Sequence, residues 1–274
     1  MDEPVKHNDS CLLEIEHLEK VYEDDGYRAV RDVSFKIPSG LLVGLIGPNG
    51  CGKTTMMKCI NRMHEATSGD IRIDGETVLD KTPLEVSKLV SNVPAELKAS
   101  FGLTVLETVM LGRYPYLKNV WWETEEDETM VMEALKKFGV AHLKDRPLNM
   151  LSSGERQRVL IAKAYVQEPR LMLVDEPTSH LDMKYKLEVM EYLRAMVKTD
   201  MTILVAEHDI SLMARYCDLC IIMKKGELVA IGDPKKIITE KLIEEVYEVS
   251  ANVDLDRDGE LYVLPKRYIG DYKI

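Results

Sequence analysis

The sequence predicts an α/β fold built on a parallel sheet, and three observations predict it. An apolar run at residues 41–46, the glycine-rich loop Gly47-Pro48-Asn49-Gly50-Cys51-Gly52-Lys53-Thr54-Thr55 and a helical pattern at 56–60 follow one another directly. A second apolar run, residues 171–174, delivers Asp175 and Glu176 at its end. From residue 183 to residue 223, helix and strand patterns alternate. Short continuous apolar runs suit strands buried on both faces, which is what a parallel sheet covered by helices requires.

The totals narrow the class. With 274 residues the chain fits one domain carrying a smaller insert. The expected division is a core at 1–94 and 151–247, a helical insert at 95–150 and a hairpin tail at 248–274. A formal net charge of -11 disfavours non-specific nucleic-acid binding. Five cysteines without a repeating spacing argue against a disulfide framework. Cys217 and Cys220 form a lone CxxC that lacks further zinc ligands, and Cys220 reads as a buried strand position. No signal pattern opens the chain and no apolar run approaches a membrane span, so membrane association is expected through a partner.

Taken in order, residues 12–15 and 30–37 read as strands of an antiparallel sheet joined by a polar turn at 22–27. Residues 69–75 read as a strand entering an Asp-Gly turn. Thr82, Pro83 and Glu85 form a capping box at a helix start, and residues 89–93 a short strand stopped by Pro94. Within the insert, Thr104 and Glu107 open a short helix, and 123–138 is a longer amphipathic one. Its acidic start, 123–128, reads as a solvated N-terminus favoured by the helix dipole. Gly112-Arg113-Tyr114-Pro115 reads as a helix C-cap with a proline stop. Ser152 caps a helix running to about 166, and helices and strands alternate from there to the hairpin turn at Lys225-Gly226. In the tail, Asp254, Asp256, Asp258 and Gly259 begin like a calcium loop, but Pro265 stands where a bidentate Glu is needed, so an Asp-Gly hairpin is expected.

The chemistry concentrates at strand ends. GxxxxGK[ST] between a strand and a helix brings backbone N–H groups and a helix N-terminus to a polyphosphate. Lys53 reaches the terminal phosphates, and the Thr54 hydroxyl suits Mg2+. Asp175 at the end of a neighbouring strand is a second Mg2+ ligand, and Glu176 stands where a general base would activate water. His208 follows the strand at 202–206, on the ligand edge of a parallel sheet.

These motifs, in this order, make the chain resemble the ATP-binding subunits of ABC transporters over essentially its whole length. The resemblance implies a P-loop NTPase core of the ABC type with an antiparallel β subdomain and an inserted α-helical subdomain. Residues 47–54 match the Walker A loop, and Tyr22 falls where an aromatic stacks on adenine. Leu151-Ser152-Ser153-Gly154-Glu155 is similar to the LSGGQ signature, with Ser153 for a Gly and Glu155 for Gln. Asp175 and Glu176 match the Walker B pair, Ser179-His180-Leu181-Asp182 the D-loop, and His208 the switch histidine. The implied machine is a head-to-tail dimer that sandwiches MgATP between one copy's Walker A loop and the other's signature. Its implied partners are a polytopic permease at the cytoplasmic face of the membrane and, indirectly, an external substrate-binding protein.

One position departs from the pattern. Where the family has a Gln after Val-Pro, this chain has Ala95 and then Glu96, and Glu96 is the candidate replacement Mg2+ ligand. The Gly112–Pro115 stretch and the tail resemble ATPases serving importers of iron–siderophores, haem and cobalamin. A soluble ABC ATPase acting on a protein scaffold or nucleic acid is the alternative. Cys51, beside Lys53 and at a helix start, is expected to favour its thiolate.

Overall fold

A computed structural model describes residues 11–95, 102–116, 124–179, 181–197 and 201–270. Strands β1 (Cys11–Val21) and β2 (Arg28–Pro38) lead into β3 (Leu42–Ile46), the glycine loop and helix α1 (Lys53–Ile60). Then come β4 (Ser68–Ile73), β5 (Glu76–Thr77), α2 (Pro83–Leu89) and β6 (Val90–Val93). The insert contributes α3 (Val105–Met110), a 3-10 helix (Leu111–Tyr116) and α4 (Glu125–Lys137). The core resumes with α5 (Ser153–Tyr165), β7 (Leu171–Asp175), α6 (Met183–Val197), β8 (Thr202–Glu207), α7 (Ile210–Tyr216), β9 (Leu219–Lys224) and β10 (Glu227–Gly232). Helices α8 (Pro234–Ile237) and α9 (Glu240–Tyr247) precede the tail hairpin β11 (Val249–Leu255) and β12 (Leu261–Tyr268).

The central sheet runs β10-β9-β3-β8-β7-β6. All its pairings are parallel except β9 with β10. A second sheet, β2-β1-β4-β5, is antiparallel. Alternation along the buried strands divides two cores. Leu42, Ile46, Met172, Val174, Ile203 and Val205 face a cluster with α4, α5 and α6 residues such as Leu135, Ile161 and Leu193. Val43, Leu45, Leu171, Leu173, Leu204 and Ala206 face the other, with Met56 and Met57 of α1 and Leu13, Ile15 and Ile37 of the antiparallel sheet. A strand period of two sends neighbouring residues to opposite faces, so one run of apolar residues serves both cores.

Capping boxes form at Thr82–Glu85, Thr104–Glu107, Thr124–Asp127 and Ser152–Glu155, each satisfying backbone donors at a helix start. The acidic start of α4 differs from its sequence reading. Asp127 is buried rather than solvated: it closes the box with Thr124 and accepts from Arg113 Nε at 2.8 Å. Nor is Gly112 a C-cap. The chain continues as a 3-10 helix with Pro115 inside it, and Gly112 is there for close packing, since a β-carbon would lie 2.2 Å from the Lys163 carbonyl oxygen. Arg113 thereby reaches across to the Val166 carbonyl at 2.7 Å and Glu168 at 2.8 Å, tying insert to core. In the tail hairpin the Asp256 carboxylate accepts from the Asp258 and Glu260 N–H groups, each at 2.9 Å, so it serves its own turn.

Candidate active site

Strands β3, β8 and β7 are neighbours, and their carboxyl ends lie level: Ile46 pairs with Glu207, and Ala206 with Asp175. The residues just past those ends therefore meet. The glycine loop, Glu176 and His208 line one cavity of about 280 Å³, with Asn49, Gly50, Cys51, Gly52, Lys53, Thr54 and Thr55 on its wall. Gly52 adopts φ +104, and a β-carbon there would come within 2.2 Å of the Ala29 carbonyl oxygen, so only glycine permits this turn. A larger cavity of about 580 Å³ between α4 and the far end of the sheet, at Lys137, Tyr165 and Met201, contains none of the predicted site residues.

Within the site the side chains engage one another. Lys53 is buried and donates from Nζ to the carbonyl oxygens of Gly47 at 2.7 Å and Pro48 at 3.4 Å. Thr54 Oγ1 donates to Asp175 Oδ2 at 2.9 Å. Burial pushes the Asp175 carboxyl above its ordinary value; the Thr54 bond opposes that and Glu176 adds to it. A hydroxyl beside such a carboxylate is an all-oxygen donor set, and a hard divalent cation there would relieve the cost of burying the charge. Glu176 Oε1 lies 2.7 Å from His208 Nε2, and Glu176 Oε2 accepts from Ser179 Oγ at 3.2 Å. Glu176 holds this position with φ 45, a left-handed conformation that costs a non-glycine residue about 1–2 kcal/mol.

Cys51 corrects the sequence reading. Its side chain is 2% exposed, and burial raises its pKa more than Lys53 lowers it. The thiol, not the thiolate, is the favoured form.

Tyr22 sits beside the loop rather than over the cavity, its hydroxyl 3.3 Å from Thr55 Oγ1 and its ring edge-on to His64. Tyr27 lines the cavity instead, donating to the Gly50 carbonyl at 3.0 Å. Sequence reading passed over Tyr27 because it lies in a polar turn with no motif around it. It also passed over Glu207, whose buried carboxylate adjoins His208.

The signature residues Ser152, Ser153, Gly154 and Glu155 open α5 and do not line this cavity. Glu155 turns back: its Oε2 accepts from the Ser152 hydroxyl at 2.7 Å and the Ser152 N–H at 2.9 Å, and these bonds hold its carboxyl below the ordinary value. Gly154 lies against the Tyr185 ring. Asp182 accepts from the Tyr185 N–H at 3.1 Å, at the start of α6. Glu96 and His180 lie outside the described residues.

A model of the ABC transporter family matches residues 30–179. The chain belongs to that family. It is 34% identical over 228 residues to the Iron(3+)-hydroxamate import ATP-binding protein FhuC of Bacillus subtilis, covering 83% of this chain and 85% of that one. The Cobalamin import ATP-binding protein BtuD of Halobacterium salinarum is 34% identical over 242 residues, covering 88% of this chain and 60% of that one. A dimeric, post-hydrolysis ATP-binding cassette bound to ADP and Pi superposes with TM-score 0.73 at 28% identity, covering 81% of this chain and 99% of that one. This ABC chain is thus an ATPase by family. Among its described residues no helix is long and apolar enough to cross a membrane.

Proposed function

We propose that this chain is the ATP-hydrolysing subunit of an ABC importer for a metal chelate of the iron–siderophore, haem or cobalamin kind. The observation that carries the hydrolytic part is the contact between Glu176 and His208, at 2.7 Å, on the wall of the same cavity as the glycine loop. The import names of its relatives support the transport part.

The loop N–H groups from Gly47 to Thr55 and the start of α1 bind the phosphates of ATP, and Lys53 swings from the Gly47 carbonyl to the terminal ones. Tyr22 flanks the adenine end. Thr54 and Asp175 would hold Mg2+, with Glu96 as a further ligand, and the ion when bound neutralises charge on the terminal phosphates. Glu176 accepts the proton of the water that attacks the γ-phosphorus, and His208 holds Glu176 and that water in line. The leaving ADP takes the bridging oxygen with it.

A second copy, head to tail, supplies Ser152, Ser153, Gly154 and Glu155, whose helix start offers N–H groups to the γ-phosphate; Asp182 lies at the same junction. ATP-driven closure and its reversal move a permease at the cytoplasmic face, which receives chelate from an external binding protein.

Glu176→Gln tests the hydrolytic reading. Steady-state turnover is expected to fall about 100- to 10,000-fold with ATP binding retained. Wild-type turnover in that variant would remove Glu176 from the role. Co-purification with a polytopic membrane protein tests the transport reading, and a soluble partner alone would overturn it.

A further inference from the structure

Glu207 ends β8 and is 3% exposed, yet no ion pair joins it among the described residues. Its two carboxylate oxygens are spent on two different loops. Oε1 accepts from the Thr178 N–H at 2.8 Å, and Oε2 accepts from the His208 N–H at 3.1 Å. Thr178 belongs to the turn that follows Glu176, and is itself 2% exposed. Glu176 also donates its N–H to the Ala206 carbonyl at 2.9 Å, and its own carbonyl accepts from Ser179 N–H at 3.2 Å. With the 2.7 Å contact between Glu176 and His208, these bonds close a ring that runs through both loops.

A left-handed residue such as Glu176 persists only where its surroundings over-determine it. Glu207 is the one side chain in this ring that grips both loops by their backbones. From this geometry we propose that Glu207 is a positioning residue for hydrolysis, fixing Glu176 and His208 relative to each other. The proposal rests on the reading that those two residues serve ATP hydrolysis. A carboxylate is suited to the task because both oxygens accept. The amide of Gln keeps one acceptor and turns an NH2 toward a second N–H donor. Ala keeps neither and leaves the buried Thr178 N–H and the part-buried His208 N–H without this acceptor.

The test uses the full-length subunit and measures kcat, ATP affinity and thermal unfolding for wild type, Glu207→Gln, Glu207→Ala, His208→Ala and the double variant Glu207→Ala/His208→Ala. Glu207→Ala is expected to lower kcat about 10- to 100-fold with ATP affinity within about twofold, because misplacement of the reacting groups costs rate and not ground-state binding. Glu207→Gln recovers part of that loss. In the double variant Glu207→Ala adds little beyond His208→Ala, since the two act in one unit. Wild-type kcat in folded Glu207→Ala overturns the proposal, as does a loss that multiplies fully onto His208→Ala. If Glu207→Ala does not fold, wild-type kcat in Glu207→Gln overturns it equally. Glu176→Gln run alongside separates the two readings. Retained turnover there removes the base assignment itself, whereas lost turnover there beside an unaffected Glu207→Ala removes only the positioning role.

Discussion

Cys51 shows how one residue's chemistry is decided by depth. Lysine proximity and a helix start both favour a thiolate, and Lys53 does pull the pKa down, but burial outweighs it. The sulfur is tucked under Gly47, 2.6 Å from where a β-carbon there would stand. Alkylation of the folded protein with iodoacetamide near neutral pH is therefore expected to mark the exposed Cys11 first and Cys51 slowly, as mapped by mass spectrometry. Cys51→Ser is expected to leave ATP turnover close to wild type. Rapid labelling of Cys51 with loss of activity would show that the loop opens in solution. The direction of the lysine effect was legible from the sequence because it is local. The burial was not, because it depends on the loop folding back over its own Gly47 and on the end of β9, distant in sequence, packing against it, with the Gly226 N–H donating to the Cys51 carbonyl at 2.9 Å.

Among elements, the joint between insert and core is the most informative. Arg113 is buried with Asp127, Glu168 and the Val166 carbonyl around its guanidinium. Breaking such a buried pair from one side costs about 3–5 kcal/mol, so Arg113→Ala is expected to lower the unfolding free energy, measured by denaturant titration, by that order. Burial alone would raise the Asp127 pKa, but the bonds from Arg113 and Thr124 outweigh it and hold the carboxyl below its ordinary value. A depressed folded-state pKa means that its stabilisation is present above the unfolded value and lost as pH falls through the folded one. The stability gap between wild type and Asp127→Asn is thus expected to be full above about pH 4 and to close below it. A gap that widens on acidification would contradict this. Three of the four capping boxes, at Thr82, Thr104 and Ser152, were readable from three-residue spacings, and the β3, β7 and β8 strands from apolar runs; the Thr124–Asp127 box was hidden in an acidic run that reads as solvated. The Arg113–Asp127 pair was not readable either, since its partners lie on separate helices and only the fold brings them together.

At the scale of the whole molecule, the sheet order decides what one chain can do alone. Because β3, β8 and β7 are adjacent and level, Lys53, Thr54, Asp175, Glu176 and His208 converge without help from any other chain. The signature at the start of α5 does not share their cavity. A single chain therefore carries a phosphate loop with its acid–base pair in one place and, in another, a second helix start whose Ser153 and Gly154 N–H groups find no acceptor among the described residues, which is the arrangement a head-to-tail dimer would complete. That can be tested by complementation. Lys53→Ala disables the loop, and Ser153→Arg places a bulky cation at the signature while leaving the Ser152–Glu155 cap residues in sequence. Each variant alone is expected to show little turnover. Mixed, they form heterodimers in which the intact loop of one chain meets the intact signature of the other, so ATP hydrolysis should reappear and depend on the mixing ratio. Were each chain's site complete by itself, Ser153→Arg alone would retain turnover and mixing would add nothing, and the dimeric reading would fall.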